Sequence, residues 1–422
     1  MSISHSRDLR LLAGAAGISA LGDFMAIFPV VLHVQQRTGS AFAVSALIFA
    51  LWGPVVLTAG VAGALVDRFE NRCVLIVASL GQAAVVSGML VGIDNLWALL
   101  PLMMLLGFGV AVSQPAEFAL VPAAAGPETD AARSNGLMET TRSIGFTAGP
   151  VVGGALGAAG LLWLALALNA VSFVLVAAAA AAIRARRRPD QGADAPASGR
   201  SREGFAFLVR ERFAFLVRER DIAITLGGAI AALAVFSISA TAEPFFVTDS
   251  LRAGSLAYGI LLTSWTLGMA AGSAGLAHRV GRAQVAAGAL AAVVLQGFGI
   301  AGASLAPVLW VALIGFVFGG VSHGVKNVLL RTLIHERVPD ALRGRAFAAY
   351  NGARNGAELG ALVLGGFAVG ALGARAALLL AGLGPAAIGT ASLLLLANRR
   401  RRVAVAMTTT NEGRVLHARV QR

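Results

Sequence analysis

Runs of about 20 apolar residues alternate along this chain with short polar gaps, and a helix needs about that many to cross a hydrocarbon core of about 30 Å. The runs fall at about 10–34, 42–66, 73–93, 96–118, 135–157, 160–183, 221–247, 256–277, 284–305, 307–330, 346–370 and 375–397, twelve in all, the fourth and fifth being the least continuous. Lipid offers the backbone no water, so each run is expected to be a helix and the fold class to be an all-α integral membrane protein. The first run is too long for the apolar core of a cleavable signal peptide and reads as the first of twelve transmembrane helices.

The gaps differ in charge. One set holds Arg7, Arg10, Arg68, Arg72, Arg133, Arg184, Arg186, Arg187, Arg188, Arg279, Arg282, Arg331, Arg337, Arg343, Arg345 and the run Arg399, Arg400, Arg401 and Arg402; the alternate set holds Arg37, Arg252 and Arg375. Arginines near span ends stay cytoplasmic, so both termini are expected in the cytoplasm. The chain divides into 1–183, a first six-helix bundle; 184–220, a cytoplasmic linker; 221–397, a second bundle; and 398–422, a basic tail. The linker closes on an octapeptide written twice, from Phe205 to Arg212 and from Phe213 to Arg220. Its apolar residues recur at helical spacing, which reads either as an amphipathic helix on the inner leaflet or as a tandem duplication without a function of its own.

The halves repeat each other. An offset of 212 brings Gly107 onto Gly319, Arg133 onto Arg345, Arg142 onto Arg354 and Gly153-Gly154 onto Gly365-Gly366; an offset of 215 aligns Pro29 with Pro244. Composition agrees with a life in lipid: mean hydropathy is +0.77 and charged residues make up 13%, against about a quarter in soluble proteins. The net charge of +13 is spread over short gaps and forms no patch interleaved with aromatics, so nucleic acid is not an expected partner. A single cysteine, Cys73, excludes an internal disulfide and any cysteine-based metal cluster.

Between the second and third runs stands Gly63-Ala-Leu-Val-Asp67-Arg68-Phe-Glu-Asn-Arg72, spaced G-x-x-x-D-R-x-x-x-R. This resembles the loop signature of the major facilitator superfamily of secondary transporters. The resemblance extends over about 390 residues and implies two pseudo-symmetric six-helix bundles with the substrate path between them. It also implies that Asp67 helps to lock a cytoplasmic gate, with the start of the eleventh span near Arg343 as its counterpart; a loop ion pair with Arg68 or Arg72 is the plainer alternative. The second-half counterpart carries His278 in place of the acid, followed by Arg279 and Arg282, which suggests a weaker or pH-tunable gate. Gly145-Phe-Thr-Ala-Gly149-Pro150-Val-Val-Gly153-Gly154 resembles the fifth-span motif of drug/proton antiporters, whose glycines allow close helix approach. Gln114-Pro115-Ala-Glu117 and Arg133-Ser-Asn135 resemble the subfamily that includes the enterobactin exporter and macrolide efflux proteins.

Ionisable residues within spans are costly and therefore functional candidates. Asp23, mid-way along the first span, is the leading proton carrier, because burial disfavours the charged form of a carboxyl. The alternative is a fixed acid that ties the first span to its neighbours. Glu139 with Arg142, and Arg354 with Glu358, stand at i,i+3 and i,i+4 on the related fifth and eleventh spans. Glu139 and Glu358 are further proton-coupling candidates, and Arg142, Arg354 and Glu243 are candidates for the substrate path. Lys326, the only lysine, is expected to snorkel to the interface or to pair with Glu117.

No P-loop, H-E-x-x-H, nucleophile elbow or cysteine pair is present, so neither enzymatic chemistry nor a cofactor or metal is expected. The expected driving force is an ion gradient. The expectation is a monomeric exporter in a bacterial-type inner membrane that exchanges protons for a hydrophobic or amphipathic small molecule held in an apolar cavity between the halves. Its other partners are membrane lipids. Uptake of a nutrient or lysophospholipid by the same fold, or a non-transporting sensor or scaffold, are the rival readings.

Overall fold

The structure is a computed structural model that describes residues 7–125, 131–186 and 219–420. The first half contains α1 (Arg7–Thr38), α2 (Ala41–Leu57), α3 (Ala59–Arg68), α4 (Asn71–Gly92), α5 (Leu96–Ala125), α6 (Ala131–Ala158) and α7 (Leu162–Ala182). The second contains α8 (Arg220–Phe236), α9 (Ser239–Phe245), α10 (Ser255–Ala271), α11 (Val285–Ser304), α12 (Leu309–Arg337), α13 (Asp340–Leu372) and α14 (Ala374–Val420). Most of the expected linker, with its doubled octapeptide, lies outside the described residues.

Among the described residues nine helices are long and apolar enough to cross a membrane, and a tenth results if α2 and α3, bent by 52°, count as one. Twelve were expected from the apolar runs. The difference lies in α6, rich in glycine, serine and threonine and carrying Arg133, Glu139 and Arg142, and in α10, which ends after 17 residues at the π turn Gly272–Leu276. Both nevertheless pack lengthwise in the bundle, α6 between α1 and α10. The bend between α2 and α3 has a local cause. Pro54 cannot donate to the helix ladder, and Thr58 turns both its N–H (2.9 Å) and its hydroxyl (2.6 Å) onto the Pro54 carbonyl.

Several helices outlast their apolar runs. α12 continues to Arg337 and α13 begins at Asp340, because Leu329, Leu330, Leu333 and Ile334 of one pack with Ala346, Ala349 and Tyr350 of the other. Polar outer faces and apolar inner faces let these ends remain helical beyond the apolar runs.

Charged contacts mark the arginine-rich end of the bundle. Asp8 accepts from the backbone N–H groups of Arg184 (2.7 Å) and Ala185 (2.9 Å), Arg72 donates to the Ala181 carbonyl, and Asp221 holds Arg399 and Arg400. At the opposite end His33 and Arg37 converge on Asp94, and Gln35 reaches across the halves to Thr248 (3.0 Å) and Asp249 (3.3 Å). The hydrogen-bonded and charged Arg37 guanidinium holds the Asp94 carboxyl below the usual carboxylate range, with His33 adding to the effect.

The halves join at the arginine-poor end. One continuous core there contains Val30, Val31 and Leu47 from the first half and Phe245, Phe246, Tyr258 and Val369 from the second. Ser45 and Thr241 hydroxyls meet at 3.0 Å, Thr263 donates to the Thr147 carbonyl at 2.9 Å, and Phe42 meets Phe367 edge to face at 4.6 Å. Toward the arginine-rich end the buried apolar clusters no longer cross between the halves. Leu9, Leu75, Leu120 and Ile183 form a cluster of the first half alone, and Ile222, Leu290, Leu333 and Leu396 one of the second. Side chains added at Gly63, Gly352, Gly356 or Gly360 would meet open space among the described residues. Those residues form a bundle closed at one end and parted at the other.

Candidate functional site

Behind the closed end lies a cavity of about 250 Å³. Its walls are Phe24, Phe28, Trp52, Met89, Met103, Leu106 and other apolar residues of the first half, with Ala240, Glu243 and Tyr258 from the second. The cavity expected between the halves draws most of its wall from the first; in the second, Phe236 stacks on Trp265 at 5.2 Å and Trp265 meets Phe316 edge-on at 6.2 Å, away from the lining.

Asp23 opens onto this cavity from the middle of α1. Gly22 explains the company it keeps, since a Cβ there would lie 2.5 Å from Asn169 Oδ1 and from Ser172 Oγ. A bare backbone lets α7 press against α1. The Ser172 hydroxyl sits 3.1 Å from Asn169 Oδ1, which leaves the Asn169 amide nitrogen to serve the Asp23 carboxylate.

Glu117 of α5 and Arg142 of α6 complete the cluster, with Arg142 Nη1 3.3 Å from Glu117 Oε2. The guanidinium also lies over the Phe118 ring at 5.5 Å. Among the described residues Glu117 Oε1 is buried without a hydrogen-bond partner. Two carboxyls and one guanidinium therefore share a space largely withdrawn from water, where their interactions are stronger than at a surface.

The α6 glycines position this cluster. A Cβ on Gly145 would come within 2.4 Å of the Gly17 carbonyl, and one on Gly153 within 2.2 Å of that of Met25. Gly149 meets Phe24 in the same way. α6 is thereby seated on α1, which sets Arg142 beside Asp23. The other edge of the motif faces the second half: Gly154 packs on Ser255 and Gly259, and Gly259 lies under the Pro150 carbonyl.

Comparison with known proteins decides the family. The family model of the Major Facilitator Superfamily matches residues 12–361. The chain belongs to the Major Facilitator Superfamily. It is 25% identical over 399 residues to the uncharacterized MFS-type transporter YfiS of Bacillus subtilis (strain 168), covering 89% of this chain and 90% of that one. In fold it is similar to the nucleoside transporter NupG (TM-score 0.69, 13% identity, 92% and 99% of the two chains). A POT family transporter in complex with 5-aminolevulinic acid (0.71, 12%, 94% and 98%) and an inward-facing bacterial homologue of the iron transporter ferroportin (0.69, 14%, 93% and 100%) are similar in the same way. The protein is thus a multi-pass membrane transporter of this superfamily.

Within this superfamily fold the remaining candidates separate. Glu243 lines the cavity, buried on α9. Glu139 is exposed on α6, outside the cavity lining, and the partner of Arg142 is Glu117 rather than Glu139. A carboxylate inside the bundle offers the guanidinium more than one facing outward. Arg354 and Glu358 do form the expected i,i+4 pair, at 3.1 Å, on a half-exposed face of α13 outside the cavity lining.

Lys326 corrects the sequence reading. It is 4% exposed and neither snorkels nor meets Glu117; its Nζ is 3.1 Å from Gln296 Oε1 and 3.1 Å from His323 Nδ1. α10 presses so closely on Gly320 and Gly324 of α12 that the lysine has no route outward along that face.

At the parted end Asp67 and Arg68 are exposed, and Arg343 engages Asp340 (2.5 Å) and the His335 carbonyl instead of Asp67. His278 lies in the short 3-10 turn Ala277–Arg279, and Arg282 pairs with Glu336 at 3.6 Å. Glu117, Asn169, Gln82 and Tyr258 were not singled out as site residues from sequence. For Glu117 a signal existed, since an acid within an apolar run is itself a flag.

Proposed function

We propose that this transporter exports a hydrophobic or amphipathic small molecule in exchange for protons, by alternating access of its two halves. The observation that carries the reading is Asp23, held by Asn169 beside the Glu117–Arg142 pair on the wall of a mostly apolar cavity. A carboxyl that meets water first from one end and then from the other can carry a proton each way, and the apolar wall supplies the surface for a hydrophobic cargo. The seating of Gly145, Gly149 and Gly153 on α1, with Gly154 and Pro150 at the seam, supports the antiporter-like reading of that motif.

On the same reading α2 with α3, α6 and α10 with its π turn are spans two, five and eight of twelve. The bundles are 1–183 and 221–397, the arginine-rich end with both termini is cytoplasmic, and the protein is a monomer in a bacterial-type inner membrane. In that orientation the parted end opens inward, and Asp67, Arg68, Arg72, Arg279 and Arg282 belong to the gate that closes when it shuts. The Gln114-Pro115 and Arg133-Ser-Asn135 segments favour relatives of the enterobactin and macrolide exporters.

The test is Asp23→Asn in everted membrane vesicles energised by an imposed pH gradient and supplied with a panel of hydrophobic compounds. Wild-type vesicles are expected to accumulate at least one compound, and the variant to lose roughly tenfold or more of that gradient-driven uptake. Undiminished gradient dependence in the variant removes the carrier role of Asp23. Accumulation by right-side-out vesicles in place of everted ones reverses the direction.

A further inference from the structure

The cavity carries more negative side chains than positive ones. Asp23, Glu117 and Glu243 line it against a single guanidinium, Arg142, which engages Glu117. Even so, Glu117 Oε1 remains buried without a partner among the described residues. Glu243 arrives from the opposite half on α9, is 8% exposed, and takes part in no ion pair among the described residues; its hydrogen-bonding neighbour is the neutral Ser239. A carboxylate withdrawn from water without a counter-charge is costly, and a cation in the adjoining space removes that cost.

The walls suit such a cation. Phe24 and Phe28 lie 5.8 Å apart, Phe28 meets Tyr258 edge to face at 5.8 Å, and Trp52 adds a third side. Ring faces attract positive charge, most strongly where water is excluded. Glu243 also stands at the seam of the halves, two residues beyond Thr241, whose hydroxyl meets Ser45. A molecule bound there touches both halves at once.

We propose that the cavity takes an apolar organic monocation and that Glu243 is the carboxylate that recognises its charge. The proposal rests on the reading of this cavity as the transport site, and it narrows the cargo from any hydrophobic molecule to a positively charged one. It also divides the acids by task, with Glu243 for cargo and Asp23 for the proton.

The test compares two ions of nearly the same shape and opposite charge. Binding of tetraphenylphosphonium and of tetraphenylborate to the purified protein in lipid nanodiscs is measured by equilibrium dialysis, with partition into empty nanodiscs subtracted. Tetraphenylphosphonium is expected to bind about tenfold tighter or more, and Glu243→Gln to lose about tenfold of that affinity. Asp340→Asn, on the exposed arginine-rich end, is expected to leave it unchanged. Equal binding of the two ions overturns the proposal and needs no variant, so it stands even if Glu243→Gln fails to fold; a folded Glu243→Gln protein with wild-type affinity overturns it as well. Gradient-driven transport of an uncharged compound by a protein that fails these comparisons leaves proton exchange intact and removes only the charge assignment.

Discussion

The closed end can be loosened with a single methyl group. A Cβ built on Gly259 would sit 2.1 Å from the Pro150 carbonyl oxygen and 2.9 Å from its carbon, on the seam between α10 and α6. Ordinary contact begins near 3.4 Å, so Gly259→Ala forces two helix backbones apart by about an ångström. Neither neighbour is a side chain that can swing away. Overpacking of this kind costs about 1–3 kcal/mol, and the cost falls only on the state in which these helices touch. If the protein alternates between two states, the equilibrium moves toward the one open at the arginine-poor end by about 5- to 150-fold. Spin labels on Ala64→Cys and Gly344→Cys, in a Cys73→Ser background, report the separation of the halves at the arginine-rich end by pulsed electron resonance. The wild-type background should show a long distance and Gly259→Ala a large shorter component. Gly254→Ala is the control, because its methyl meets nothing within 4 Å. Identical distance distributions for Gly259→Ala and the unsubstituted background, or an equal shift with the control, would refute the seam as the hinge of the two states.

Glu117→Gln leaves the Arg142 guanidinium, 25% exposed, without its carboxylate; the loss in thermal stability should fall below the about 3–5 kcal/mol of a fully buried pair, and adding Arg142→Gln should restore part of it, whereas simple additivity would contradict the pairing. Lys326→Met should cost less than about 1.5 kcal/mol, because His323 Nδ1 and Gln296 Oε1 already stand 3.2 Å apart and can satisfy each other; a melting temperature that collapses would show that the lysine itself is the keystone. The Asp94 carboxyl is held below its ordinary range by Arg37, so its contribution to stability is whole above the unfolded value of about 3.9 and is lost as pH falls below it. Thermal scans from pH 5 to 3 should therefore show an acid-dependent drop that Asp94→Asn reduces, and an unchanged drop in the variant would discount the cluster.

The membrane class was legible because lipid imposes one demand on every span, and the apolar runs meet it with few exceptions. Two elements depart from their apolar runs for physical reasons: α6 packs closely on α1 through its glycines, and α10 is cut by a π turn that periodicity does not announce. Asp23 was visible as an acid in an apolar run. Its setting was not, since Asn169 comes 146 residues later and arrives only because Gly22 leaves room. Arg142 had a local acid at 139 and takes a distant one at 117, a choice made by burial and invisible to spacing. The fate of Lys326 turned on how closely α10 covers α12, a matter of backbone approach at glycines rather than of side-chain character. Sequence placed an apolar cavity between the halves but could not apportion its walls, which come mostly from the first half, whereas the Phe236, Trp265 and Phe316 rings of the second pack on one another.

The central claim is that protons move inward as cargo moves outward and that Asp23 carries them. Purified protein in proteoliposomes loaded with a pH-sensitive dye tests it most directly, with cargo added to one side and no imposed gradient. Cargo movement through the wild-type protein should drive an opposite proton flux, and Asp23→Asn should still exchange cargo for cargo while the proton signal vanishes. Cargo transport without any proton signal in the wild-type protein, or an undiminished signal in Asp23→Asn, would contradict the claim.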